Sequence, residues 1–176
     1  KYLNDHGRKI IGWDEILEGN LAEGATVMSW RGSEGGIQAA KQGFDVIMTP
    51  NDYMYFDHYQ SDSLSLEHLA IGGYLPVEKV YQCEPCAGIP AEAQSHVLGV
   101  QANLWTEYIP TVEHLEYMLL PRMSALSEVQ WCQLENKNYE RFKESMISHA
   151  FEIFDAMGMT YSRDVLGQYG LPSQQK

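Results

Sequence analysis

The chain has 176 residues, the size of one ordinary domain or a piece of a larger one, with 44% apolar and 20% charged residues. That balance buries a core and excludes a disordered acidic tail. The 24 acidic against 12 basic residues give a net charge of −12, a surface that repels nucleic-acid phosphates and anionic membranes.

No apolar run reaches the ~18 residues needed to span a bilayer. The opening Lys1-Tyr2-Leu3-Asn4-Asp5-His6 is not a signal peptide, and because it does not begin with Met a preceding segment is expected. Four short, nearly continuous apolar segments follow the pattern of strands buried on both faces. They are Lys9–Trp13, Ala25–Trp30, Phe44–Thr49 and His96–Trp105. Between the second and third, Ser33 is placed to cap a two-turn helix that Gly43 ends. After the fourth, apolar positions 115, 118, 119, 123, 126 and 129 keep helical spacing, with Pro121 as an interruption. A last helix is expected from Asn138 to Met157. Its buried stripe would be Phe142, Met146, Ile147, Ala150, Phe151, Phe154 and Met157, and Gly158 would stop it. Residues 1–160 read as one domain and 161–176 as a loosely held tail.

Strands alternating with helices imply parallel pairing and right-handed crossovers. In such folds the C-terminal strand ends carry the ligand site, and here those ends are rich in acidic and aromatic residues. The stretch from Pro50 to Ser95, with five tyrosines, is too long for an ordinary connection, which marks it as functional. Cys83-Glu84-Pro85-Cys86 lies in a loop with no second ligand pair. It reads as an incidental cysteine pair, bridged or not, rather than a redox or metal motif. The six histidines are scattered, so no metal site is expected.

Trp13, Trp30 and Trp105 are each expected to end a strand. An indole is a large apolar plate with one N–H, suited to a sugar face or a small apolar group. Neighbours on a strand face opposite ways, so only one of Asp14 and Glu15 can point into a site, and Glu15 is either a site residue or the partner of a helix cap or an arginine. If Tyr55-Phe56-Asp57 is extended, a phenol donor and a carboxylate converge on one side. Glu107, two residues after Trp105, is a further carboxylate at the same end.

The strings Gly12-Trp13-Asp14-Glu15-Ile16, Met28-Ser29-Trp30-Arg31-Gly32, Tyr55-Phe56-Asp57, Gly99-Val100-Gln101-Ala102-Asn103-Leu104-Trp105-Thr106-Glu107 and Leu120-Pro121-Arg122-Met123-Ser124-Ala125-Leu126-Ser127-Glu128 occur in this order. Together they resemble the second half of the catalytic barrel of family 20 glycoside hydrolases, the β-N-acetylhexosaminidases. The resemblance implies an α/β fold: half of a (β/α)₈ TIM barrel with four parallel strands and open edges. It also implies substrate-assisted removal of terminal N-acetylhexosamine, with the sugar's own acetamido oxygen as nucleophile. Tyr55 would donate to that oxygen as the catalytic residue. Trp13, Trp30 and Trp105 would enclose the N-acetyl group, and Asp57 and Glu107 would hold ring hydroxyls. No cofactor is implied.

The family's His-x-Gly-Gly-Asp-Glu motif, which carries the acid Glu and its partner Asp, is not in this chain. Asp14-Glu15 is preceded by Trp13 where the motif has glycines. The chain alone is therefore expected to be inactive and to need a missing N-terminal half of the barrel, or to self-associate through its open strand edges. Its partners would be N-acetylhexosamine-terminated glycans. Export of the parent protein is expected by the same resemblance, with the signal outside this chain. A non-catalytic carbohydrate-binding or assembly module is the alternative reading.

Overall fold

The β-branched runs form strands because their neighbours in space are other such runs. In the computed structural model, which describes residues 2–163, β1 (Ile11–Trp13), β2 (Thr26–Ser29), β3 (Asp45–Met48) and β4 (Val97–Val100) make one sheet in the order β1-β2-β3-β4. Every pairing is parallel. The chain divides into two compact units, Lys1–Tyr55 with Glu84–Asn103, and Phe56–Cys83 with Leu104–Lys176.

The first unit holds the whole sheet. After α1 (Tyr2–Asp5) and β1, a 3₁₀ segment (Asp14–Glu18) makes the first connection. α2 (Glu34–Lys41) then lies on β2 and β3. Its start is secured differently from expectation: the Ser33 side chain makes no cap hydrogen bond. Instead the buried Ser29 hydroxyl accepts from Gly36 N at 2.9 Å and donates to Gly32 O at 2.6 Å. Gly43 ends the turn with φ +82°, which only glycine adopts without strain. The central strands are buried, whereas the edges are not: Ile11 on β1 is 57% exposed and Leu98 on β4 is 59%. The β3–β4 register shifts between Val46 and Ile47, passing over Leu98. β4 ends at Val100, five residues before Trp105, so the long fourth strand expected from the sequence is cut short. The chain then continues in irregular pairing, through Gln101 N to Met48 O and an isolated bridge between Tyr55 and Asn103. α3 (Asn51–Met54) precedes Tyr55.

In the second unit α4 (Val77–Tyr81) packs on α6 (Arg122–Trp131), burying Val77, Val80, Ala125 and Leu126. The 3₁₀ turn Leu64–Leu66 and α4 lie in what reads as one long loop in the sequence. Thr111 caps α5 (Val112–Leu119), and Leu120-Pro121, with a cis peptide bond, separates it from α6 as expected. Met123 faces outward at 37% exposure, while the neighbouring arginine takes the inward position. Arg122 is fully buried. Its guanidinium lies 4.9 Å from the Phe56 ring centroid and donates to Met118 O, His58 O (3.0 Å), Leu75 O (3.2 Å) and Phe56 O. Burial pushes it down to about 9, against the pull of Glu67 and Asp57, which leaves it charged at neutral pH.

The expected last helix is three pieces: α7 (Tyr139–Ser145) capped by Asn138, a π segment (Met146–Ala150), and α8 (Phe151–Met157), stopped by Gly158 in the left-handed region. A π turn inserts a residue into the α repeat and rotates the residues after it. Phe142, Met146 and Phe151 are therefore buried, whereas Ile147 (38%) and Met157 (68%) of the expected stripe are exposed. Tyr161 packs on Phe151 and Phe154, and Ser162 N donates to Leu120 O. Residues 164–176, most of the expected tail, lie outside the described residues.

Two substitutions test this packing. A Cβ on Gly36 would meet Met48 Sδ at 2.5 Å and Val46 Cγ1 at 3.0 Å. Helix propensity favours Ala over Gly by ~1 kcal/mol and overpacking costs about 1–3 kcal/mol, so Gly36→Ala is expected to lower the urea midpoint by about 1 kcal/mol equivalent. A higher midpoint would show that this contact is not tight. Arg122→Lys cannot reach four carbonyls with one ammonium. With each buried group left unpaired costing about 1–3 kcal/mol, a loss of ~3 kcal/mol or more is expected in the same assay, and an unchanged midpoint would count against the clamp.

Candidate functional site

The first unit brings five of the sequence-selected residues, Trp13, Asp14, Glu15, Trp30 and Tyr55, to the C-terminal side of its sheet. Trp13 ends β1, and Trp30 follows β2 directly. Asp14 and Glu15 are not on a strand, as the alternation argument assumed, but open the 3₁₀ segment. Both turn toward residue 30. Buried Asp14 accepts from Trp30 N and Arg31 N, each at 3.0 Å, and from Arg31 Nε at 2.6 Å. Arg31 also reaches Glu18 at 2.7 Å. The exposed Glu15 carboxylate accepts from the Trp30 indole Nε1 with both oxygens, at 3.1 and 3.0 Å. That bond holds the Glu15 carboxyl below its ordinary value, with Arg31 adding to the effect.

Trp30 stacks on Tyr55, with ring centroids 6.2 Å apart and 27° between planes. Beside Tyr55, Asn103 N donates to Met54 O at 2.8 Å. The Asn103 amide donates to Thr49 Oγ1 at 2.6 Å and its carbonyl accepts from Gln101. Asn103 does not stand out in the sequence because it lies inside the expected fourth strand. Its only signal is membership of the Gly99–Glu107 string.

Asp57, Trp105 and Glu107 belong to the second unit. Tyr55-Phe56-Asp57 is not extended. Tyr55 closes α3 at φ −95°, ψ 95°, and Phe56 and Asp57 then turn. The reason is the Arg122 clamp on Phe56 O and His58 O, which bends the chain on both sides of Asp57. The alternation that would put Tyr55 and Asp57 on one side therefore does not apply. Asp57 is 6% exposed, and its Oδ1 has no hydrogen-bond partner among the described residues. Burial raises its carboxyl above the ordinary value and Glu107 adds to the rise, against its own backbone N–H, His58 and Arg122. Trp105 is 45% exposed and Glu107 sits in the turn just after it.

Below this segment Glu67 accepts from Ser61 N and Tyr117 OH, both at 3.0 Å. Gln60 donates to Tyr117 O and Leu120 O. Neither residue stands out in the sequence, nor does the inward-facing Arg122.

No group of three or more His, Cys, Asp or Glu among the described residues is arranged to hold a metal ion. Cys83 and Cys86 are not joined by a disulfide, which removes the bridged option, and burial raises Cys86, the opposite of a reactive cysteine. No helix of the described residues is long and apolar enough to cross a membrane.

Comparison with known proteins gives the geometry a context. Residues 1–134 match the model for glycosyl hydrolase family 20, catalytic domain. A beta-hexosaminidase of Porphyromonas gingivalis is 48% identical over 163 residues, covering 92% of this chain and 21% of that protein. The GH20 beta-N-acetylhexosaminidase of Streptomyces coelicolor superimposes with a TM-score of 0.80 at 29% identity, over 93% of this chain and 34% of that one. The GH20 exo beta-N-acetylglucosaminidase of Vibrio harveyi, solved with N-acetylglucosamine, gives 0.78 at 27% identity, over 91% and 25%. The chain thus spans about a fifth to a third of the length of these relatives, and its open sheet of four parallel strands is that of a partial (β/α)₈ barrel. By the match over most of its length and by its fold, the chain belongs to glycosyl hydrolase family 20.

Proposed function

We propose that the chain is part of a β-N-acetylhexosaminidase that removes terminal N-acetylhexosamine from glycans by substrate-assisted, retaining catalysis. The observation that carries this reading is the set of Trp13, Trp30 and Tyr55 on the C-terminal side of the sheet, with Trp30 and Tyr55 stacked. The names of the relatives support it, and so does the family's chemistry, in which the substrate supplies the nucleophile.

In this mechanism the acetamido oxygen attacks the anomeric carbon and an oxazolinium intermediate forms, which water then opens. The oxygen must be held beneath that carbon. A phenol O–H from Tyr55 aimed at it fixes the geometry and polarises the amide. Trp13 and Trp30 enclose the methyl end of the N-acetyl group; the family resemblance gives Trp105 the same role, and gives Asp57 and Glu107 that of accepting hydrogen bonds from ring hydroxyls. The leaving group needs an acid that this chain does not contain, so in this reading the missing part of the barrel supplies it. The absence of a His-x-Gly-Gly-Asp-Glu motif is also what favours the second reading, a sugar-binding module without chemistry. Reading the coding sequence upstream of Lys1 separates the two.

Three outcomes are expected. General acids typically contribute ~10²–10⁴-fold, so the chain alone should not hydrolyse a chromogenic N-acetylglucosaminide. Turnover that disappears on changing Glu15 or Glu107 would overturn this assignment of the acid. In the complete enzyme, Tyr55→Phe keeps the ring and removes the donor. It should lower kcat by about 10²–10³, or ~2.7–4 kcal/mol, with little change in KM. Tyr53→Phe and Tyr59→Phe should be mild by comparison. Tyr59 hydrogen-bonds the backbone of Ala70, so its loss should register as stability of about 1 kcal/mol rather than as rate. Wild-type kcat in Tyr55→Phe would remove Tyr55 from the mechanism. Finally, exposed β1 and β4 edges invite pairing, and light scattering of the chain alone should report self-association. A strict monomer would count against open edges as its interface.

A further inference from the structure

The sequence leaves the Asp14-Glu15 pair without a settled role, and the structure gives the two carboxylates one shared target. Asp14 takes the backbone N–H groups of Trp30 and Arg31. Glu15 takes the indole N–H of Trp30 with both oxygens. Residue 30 is thereby fixed at its main chain and at the tip of its ring. An indole has two rotatable bonds and one donor. The Asp14 contacts set where the side chain starts, and the Glu15 contact sets where the ring plane ends.

We infer that Glu15 is a positioning residue for Trp30: it orients the indole for the stack on Tyr55 and so preforms the wall against which an N-acetyl group rests, an inference that depends on the function proposed above. Two alternatives for Glu15 fit less well. A general acid needs a carboxyl that keeps its proton near neutral pH, whereas the Trp30 bond lowers Glu15. A simple ion pair would place Glu15 on Arg31, but the Arg31 guanidinium contacts are to Asp14 and Glu18. What remains is a carboxylate whose hydrogen-bonding capacity is directed at one ring.

Glu15 is exposed, so its substitution is expected to leave the fold intact, and the effect can be read directly. The four tryptophans of the chain give separable indole N–H signals in ¹⁵N-tryptophan spectra, with Trp30 assigned by Trp30→Phe. Glu15→Ala is expected to shift the Trp30 signal alone and to speed its exchange with water at least tenfold. Glu15→Gln, which retains an acceptor oxygen, should give intermediate values. In the complete enzyme, Glu15→Ala should lower kcat/KM by roughly 10–10²-fold, the scale of a small misplacement near the reacting atoms, with partial rescue by Gln.

An unmoved Trp30 signal in Glu15→Ala would overturn the inference and leave the proposed function standing. So would a shifted signal with unchanged kinetics in an enzyme that Trp30→Ala cripples. If Trp30→Ala itself leaves kinetics unchanged, the failure lies with the proposed site, and the positioning role of Glu15 falls with it.

Discussion

A parallel sheet ends all its strands on one side, and the register of β1 on β2 decides what meets there. Trp13 is paired with Met28, so the next two residues, Asp14 and Glu15, follow level with Ser29 and Trp30, and their carboxylates reach forward to Trp30 and Arg31. A shift of one position would carry Asp14 away from two backbone N–H groups and reverse every side chain of a three-residue strand. The same constraint holds Asn103 beside Tyr55 after β4 has stopped pairing regularly. The arrangement around Trp30 therefore rests on ladder hydrogen bonds that involve no side chain of the site.

The second unit solves a comparable problem without a sheet. The segments around Phe56, His58, Leu75 and Met118 have carbonyls pointing inward and no strand to satisfy them. One guanidinium gathers all four. A buried cation without a directly bonded carboxylate is usually costly, and here it is tolerated because carbonyl dipoles surround it and Asp57 and Glu67 lie near enough to oppose its loss of charge. The bend that isolates Asp57 follows from this clamp, because the bonded carbonyls flank that residue.

Much of the fold was legible because it depends on short-range signals. The four strands, the break at Pro121, the stop at Gly158 and the helix start near Asn138 each follow from residues within a few positions of one another. What the sequence hid depends on partners far along the chain. Ser33 carries a good capping side chain, yet Ser29 supplies the hydrogen bond from the neighbouring strand. Ile147 and Met157 keep a 3.6-residue rhythm that the π segment breaks. Met123 keeps the apolar helical spacing, yet tertiary packing turns it outward and buries Arg122 instead. At the site, the choice of Trp13, Trp30 and Tyr55 came from resemblance and position. The link from Glu15 to the indole spans fifteen residues and leaves no periodic trace.

The bond between Trp30 and Glu15 also bears on water. An indole has a single hydrogen-bond donor, and here a carboxylate takes it. The part of the ring that faces solvent then has nothing with which to hold a water molecule in place. Water over such a surface is poorly ordered, and an apolar group that displaces it gains affinity rather than losing it. By engaging the one polar atom of the side chain, Glu15 leaves a face of Trp30 that is easier to dry than an unbonded indole would be.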